Sequence, residues 1–180
     1  MALLAESLVE EWLNRNRFFA IRGIKHGLAE IDLLAIRHEA DTSVTGWHVE
    51  VQVSFRPVTY IAKLTDDMAR ASNRLRTNAS ARTPDQIETC ASEWVQSKFK
   101  ADAKAKAREG LWPHVQWRYH LVHARVRERR ELEVFQREGV TCHSFRQLLA
   151  DLSRRKDHSF SGSAGGDLAE IVGYYNSPED

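Results

Sequence analysis

Two carboxylates and one carboxamide stand at positions in this sequence where they could carry chemistry. Asp32 interrupts the apolar run I-D-L-L-A-I, and Glu50 and Gln52 alternate with valines in G-W-H-V-E-V-Q-V-S. A carboxylate inside an apolar strand is unfavourable unless it is paired or bound to a cation. Two carboxylates on adjacent strands make a hard-oxygen site suited to magnesium. The pattern therefore indicates a cation site between Asp32 and Glu50.

The elements predicted around these residues belong to a mixed α/β domain. Leu4, Leu8 and Trp12 recur every four residues, which predicts an amphipathic helix from about residue 2 to 15. An antiparallel hairpin through a turn at 39–46 would bring Asp32 beside Glu50. Strands are predicted at 18–25, 30–37, 46–54, 117–126 and 140–144, and further helices at 61–75, 84–110, 128–138 and 145–152.

The alternation around Glu50 also has a simpler interpretation, in which Glu50 and Gln52 face water while the valines between them face the core. Glu50 taken alone favours that interpretation, because glutamate is common on the wet face of a strand. Asp32 favours a site, since a carboxylate in an apolar strand needs a partner that solvent does not readily provide.

In order along the chain come a helix carrying Glu6, a turn with glycine, E-I-D-L-L, a second turn, V-E-V-Q-V and a helix. This series resembles the PD-(D/E)XK nuclease superfamily, and the motif covers roughly the first 80 residues. The resemblance implies a restriction-endonuclease-like αβββαβ core with a mixed central sheet flanked by helices. It also implies that Asp32, Glu50 and the Val51 carbonyl hold Mg²⁺ or Mn²⁺, and that Glu6 is the acidic residue of the first helix.

The sequence departs from the superfamily pattern where most members carry the catalytic lysine. Gln52 stands at that position, and Ile31 stands where the motif name has proline. Glutamine can orient a water molecule by hydrogen bonds, but it supplies no charge and does not titrate. Lys63, on the predicted helix after the third strand, and Lys25 are candidates for a displaced cation. Lys63 is the better placed of the two, and a solvated helix residue is its alternative interpretation.

The resemblance predicts a metal-dependent nuclease that hydrolyses phosphodiester bonds of nucleic acid, with DNA favoured. Gln52 and the net charge of only +1 favour a first alternative, a catalytically inactive nuclease-fold module that binds nucleic acid or a partner protein. A second alternative is a structural interaction protein, in which Asp32 and Glu50 belong to a buried polar network. Arg70, Arg74 and Arg76 are candidates for contacts with DNA phosphates. His120 and His123, three apart on one strand, point to opposite faces and are not expected to chelate a metal together.

Two cysteines without paired spacing and an N-terminus without a basic region before its apolar run predict a cytoplasmic protein. No apolar run approaches membrane-spanning length, so no membrane contact is expected. Residues 1–157 are predicted as the nuclease-like domain and residues 158–180 as a flexible linker, S-F-S-G-S-A-G-G at 159–166, with a C-terminal tail. The tail is expected to dock on its own domain; engaging a second copy or a partner protein is the alternative.

Overall fold

A mixed five-stranded sheet forms the centre of the part of the chain that the computed structural model describes, residues 2–54, 56–154 and 163–176. Its strands lie side by side in chain order. The first three pair antiparallel, and the last two join them in parallel. The strands are β1 (Phe19–His26), β2 (Ala29–His38), β3 (Val44–Gln52), β4 (Trp117–His123) and β5 (Val140–Ser144).

Helices cover both faces of this sheet. Val49 and Val51 of β3 belong to the apolar cluster under α1, α6 and α7, whereas Leu121 of β4 packs against Phe99 and Phe135 on the other face. The helices are α1 (Ala2–Arg15), α2 (Asp66–Ala71), α3 (Pro84–Val95), a π-helix (Gln96–Lys100), α4 (Asp102–Leu111), α5 (Arg130–Arg137), α6 (Phe145–Arg154) and α7 (Ser163–Asn176). The predicted α/β class and the five strands in their order are confirmed. Among the described residues, no helix combines the length and the apolar character needed to cross a membrane.

The helix predicted at 61–75 is wrong over most of its length, because only Asp66–Ala71 is helical. The side chain of Thr65 caps its start by accepting a hydrogen bond from the Met68 N–H at 3.2 Å. The N–H groups before it bond to a side chain instead of a helical carbonyl: those of Ile61 and Ala62 donate to the Glu131 carboxylate at 2.6 and 2.8 Å. Lys63 therefore lies in the loop between β3 and α2, not on a helix.

The helix predicted at 84–110 is interrupted. It begins as predicted at Pro84, after a Thr83 capping box, but its fourth turn widens into the π-helix and Ala101 is extended, with ψ at 138°. The chain then resumes as α4 at Asp102. π-helical turns inside helices occur frequently at functional sites, and this one carries Lys98.

The C-terminal segment forms a helix that packs on α1 and α6. Residues 163–166 of the predicted linker belong to α7, while residues 155–162 lie outside the described residues. Gly165 lies so close to α1 that an added Cβ would come within 2.8 Å of the Glu11 Cβ and 2.9 Å of the Ser7 carbonyl oxygen. Composition therefore misled the prediction here: this glycine permits close helix packing, and Ala169 of the same helix is buried in the core.

Glu131 anchors the loop between β3 and α2, so its replacement by glutamine should loosen that loop. The glutamine amide nitrogen would face one of the two N–H donors, a loss of about 1–3 kcal/mol of stability.

Burial raises the pKa of Glu131 to about 7, against the two backbone hydrogen bonds that lower it. Between about pH 4.5 and pH 7 the folded state thus binds more protons than the unfolded state, and the wild type loses stability across this range. We expect the gap between wild type and Glu131→Gln, measured by urea unfolding, to narrow from pH 5 to pH 8; a constant gap would contradict this.

Candidate functional site

The predicted meeting of Asp32 and Glu50 occurs where β2 and β3 separate. Main-chain pairing between the two strands ends at Leu33 and Val49. The side chain of Asp32 then takes the next main-chain donor, and its Oδ2 accepts a hydrogen bond from the Val51 N–H at 2.8 Å. Because the two strands separate here, the Asp32 carboxylate takes the place of a main-chain acceptor and lies beside Glu50.

Asp32 carries a negative charge that its surroundings compensate only in part. Burial raises its pKa to about 6, and the negative charges of Glu50 and Glu6 act in the same direction. The Val51 hydrogen bond and the more distant Lys98 oppose this rise without cancelling it. The predicted inward placement of Glu6 on α1 is consistent with its effect on Asp32. A carboxylate in this environment would gain from a cation.

Glu50 is fully buried and is surrounded by hydrogen-bond donors. Its Oε2 accepts from Lys98 Nζ at 2.8 Å, and its Oε1 accepts from Lys104 Nζ at 2.5 Å and lies 3.1 Å from His48 Nε2. Burial by itself would raise the pKa of Glu50, but the His48 hydrogen bond and the two ammonium charges lower it to about 2. Glu50 is therefore ionised and electrostatically satisfied, in contrast to Asp32.

Arg108 determines the protonation of His48. Its Nη1 lies 2.9 Å from His48 Nδ1 and also donates to the Phe99 carbonyl oxygen at 2.9 Å. A guanidinium can only donate, so Nδ1 accepts and the ring proton is on Nε2, where it bonds to Glu50. Burial also lowers the pKa of His48 to about 4, which keeps the ring neutral. The sheet and α4 thus share a buried polar network.

The lysines on Glu50 were missed by the sequence prediction, which named Lys63. Lys98 lies on the π-helix with its side chain 32% exposed, whereas Lys104 on α4 is almost fully buried. A signal for them exists: Lys104 and Arg108 are four residues apart, on the same side of α4 as the buried Ala107. Cations on the buried side of a helix imply an acidic partner on the element beneath it.

A cleft of about 570 Å³ opens beside this network, between α3 and the loop that follows β3. We call it the Gln52 cleft. Gln52, the last residue of β3, lines it, and Lys98 joins the cleft to Glu50. Other residues of its wall are Lys63, Arg76, Glu93 and Trp94. Gln52, Lys63 and Lys98 thus share one cavity, although Lys63 itself is exposed and makes no contact with Glu50.

The described residues provide only part of a metal site. They contain no group of three or more His, Cys, Asp or Glu side chains arranged to hold an ion. Both oxygens of Glu50 already accept hydrogen bonds from ammonium groups, which would repel a dication. Asp32 differs from Glu50, because its negative charge is compensated only in part. Its carboxylate oxygens are hard ligands that suit Mg²⁺ or Mn²⁺. The residues therefore fit a metal ion bound by Asp32. Glu50 could bind the same ion only if a lysine gave up its hydrogen bond to one of the Glu50 oxygens.

The other residues singled out in the sequence lie apart from this network. Arg70 and Arg76 pair with Asp67 and Asp66 at the surface. The histidine that approaches His120 is His143, with Nδ1 and Nε2 2.9 Å apart. Their rings stack beneath Trp47 on the α1 face of the sheet. His123 Nδ1 lies 2.8 Å from the Ala124 carbonyl oxygen, so the two β4 histidines make separate contacts.

Comparison with known proteins gives no family assignment. No protein-family model and no curated protein matches the chain. The structure is similar to a crystal structure described as a protein of unknown function, AF1548, with a TM-score of 0.46 and 12% sequence identity, covering 100% of this chain and 73% of that chain. A similarity of this size identifies neither a family nor a function.

Proposed function

We propose that this protein is a metal-dependent nuclease with a restriction-endonuclease-like core, in which the lysine that usually follows the glutamate on the strand is supplied by Lys98. The observation that carries the proposal is the grouping of Asp32, Glu50 and Lys98 at the point where β2 and β3 separate, next to a cleft. Two carboxylates and one ammonium are the charges needed to hold a divalent ion and to face a phosphate.

The side chains have separate roles in this proposal. Asp32 and Glu50, with the Val51 carbonyl, would hold the metal, which when bound would activate water and stabilise negative charge on the phosphate. Lys98 moves its ammonium from Glu50 Oε2 toward the cleft, where it contacts a non-bridging phosphate oxygen. Gln52 orients the attacking water through its carboxamide. Glu6 adds negative charge near Asp32.

A second function is favoured by the saturation of Glu50. Its two oxygens already accept hydrogen bonds from Lys98 and Lys104, so the charge of Glu50 is compensated without a metal. A nuclease-like module that binds nucleic acid or a partner protein without cleaving it would have this stable polar core.

The test that separates the two functions combines binding and cleavage. Isothermal titration with Mn²⁺ and Mg²⁺ should show binding to the wild type and weaker binding to Asp32→Asn. Labelled DNA and RNA substrates should be hydrolysed by the wild type with either metal. Metal binding without hydrolysis of any substrate, or no metal binding at all, would favour the binding module.

Lys98 and Lys63 should differ in the kinetic constant that they affect. Lys98→Ala removes the ammonium nearest the carboxylates, and we expect kcat to fall about 100-fold or more, as for the loss of one group that stabilises transition-state charge. Lys63→Ala should mainly raise KM, because Lys63 lies in the cleft wall and makes no contact with Glu50. Lys98→Arg keeps the charge and should retain part of the rate. An unchanged kcat in Lys98→Ala would contradict the assignment of Lys98.

A further inference from the structure

The wall of the Gln52 cleft is formed by β3, the loop that follows it, α3 and the π-helix. Gln52 comes from β3, Lys63 from the loop, Trp94 from α3 and Lys98 from the π-helix. Its volume of about 570 Å³ is in the range of sites that enclose small ligands, about 300–1,000 Å³. We infer that this cleft receives one unpaired strand of nucleic acid and not a base-paired duplex, an inference that rests on the proposed function.

The position of the catalytic groups supports a single strand. Lys98 and Gln52 line the cleft, and Glu50, which accepts a hydrogen bond from Lys98, has no exposed surface. A phosphate held in the cleft would therefore meet Lys98 and not Glu50. A single strand can place one phosphate in a cleft of about 570 Å³ and leave its neighbours at the mouth, whereas a duplex would have to bring its second strand to the same opening.

The charges around the cleft support the same conclusion. Nonspecific duplex binding draws on contacts between many phosphates and a broad cationic surface. Here Arg76 of the cleft wall forms an ion pair with Asp66, the neighbouring Arg70 forms one with Asp67, and Glu93 places a negative charge in the cleft wall. Among the described residues, none forms an ion pair with the exposed Lys63. The cleft thus offers cations for a short run of phosphates.

The apolar part of the wall suits an unstacked base. Ile61 and Trp94 line the cleft together with its charged groups. Trp94 is held by Phe135 and Phe99, with ring centroids 4.7 and 5.8 Å away, so the indole is fixed before a ligand arrives. Proteins that bind single strands combine such aromatic side chains with cations that follow the backbone.

The test uses one sequence in two forms, a fluorescent single strand and its blunt duplex, with binding measured by anisotropy in EDTA over a range of salt concentrations. The wild type should bind the single strand more tightly than the duplex. Lys63→Ala should weaken single-strand binding and lower the slope of log K against log salt by about 0.7, the value for one phosphate contact on a single strand. Lys106→Ala, an exposed lysine on α4 outside the cleft, is the matched control and should leave the slope unchanged.

Equal or tighter binding of the duplex, or equal effects of Lys63→Ala and Lys106→Ala on the slope, would overturn the inference. A cleavage assay with Mn²⁺ on the same two substrates tests the proposed function separately. Faster cleavage of the duplex would overturn the single-strand inference and leave the nuclease standing. Single-strand binding that depends on Lys63 but is never followed by cleavage would retain the inference about the cleft and overturn the nuclease.

Discussion

Glu50→Ala should lower the free energy of unfolding by about 3–5 kcal/mol, the loss typical of a buried ion pair from which one partner is removed. The variant leaves the ammonium of Lys104, with a side chain only 6% exposed, without its counter-charge. It also removes the acceptor for the His48 Nε2 proton. The unpaired Lys98 ammonium should destabilise the fold less, because its side chain is partly exposed and can turn to water.

Urea unfolding followed by circular dichroism measures this effect, with Glu93→Ala as a control that removes an exposed glutamate. Glu50→Leu combined with Lys104→Met should recover part of the loss, because apolar side chains of similar volume often replace a buried pair without destabilisation. A single Glu50→Ala variant as stable as the wild type would mean that the ammonium groups do not depend on Glu50.

Asp32→Asn should abolish metal-dependent cleavage, with a fall in kcat of about 100-fold or more, while the fold is retained. The asparagine oxygen can still accept the Val51 N–H bond that Asp32 accepts at 2.8 Å. What disappears is the charge that would hold a cation. Activity assays and Mn²⁺ titration on the same preparation measure both consequences.

The stability of Asp32→Asn should also depend on pH in a characteristic way. The pKa of Asp32 is raised to about 6 in the folded protein from a usual value of 3.8. Ionisation therefore destabilises the folded wild type progressively above pH 4, and the effect is complete above pH 6. At pH 8 we expect the variant to be more stable than the wild type by about 1–3 kcal/mol, with a smaller difference at pH 4. A variant that is less stable at pH 8 would show that the Asp32 charge is compensated.

The part of the site that lies within one hairpin could be predicted from the sequence. The turn between β2 and β3 is short, and the alternation of valines with Glu50 and Gln52 fixes which face each side chain occupies. Together these local features predict that Asp32 and Glu50 meet. His48 lies on the same face by the same rule, but its role follows from Arg108, which is 60 positions away in sequence.

The cations could not be predicted in the same way because they depend on packing between distant elements. Lys98 and Lys104 are 48 and 54 positions from Glu50, and the π-helix and the break at Ala101 determine where they point. Regular helical spacing through 84–110 would place them differently. The apolar spacing after β3 predicts a helix and so favours Lys63 as the displaced cation. In the structure the buried Glu131 holds that segment as a loop.

The strand order of the sheet has a consequence for how the protein folds. β1, β2 and β3 form a meander of local contacts, but β4 can join β3 in parallel only after the long crossover of residues 53–116 has packed. The carboxylates belong to the meander, and Lys98, Lys104 and Arg108 belong to the crossover. We therefore expect Glu50 to stay hydrated while the meander forms and to be desolvated only when its counter-charges arrive. The late step brings the carboxylates of the meander and the cations of the crossover together, and added salt screens their attraction. Added salt should therefore slow refolding more in the wild type than in the Glu50→Leu, Lys104→Met variant.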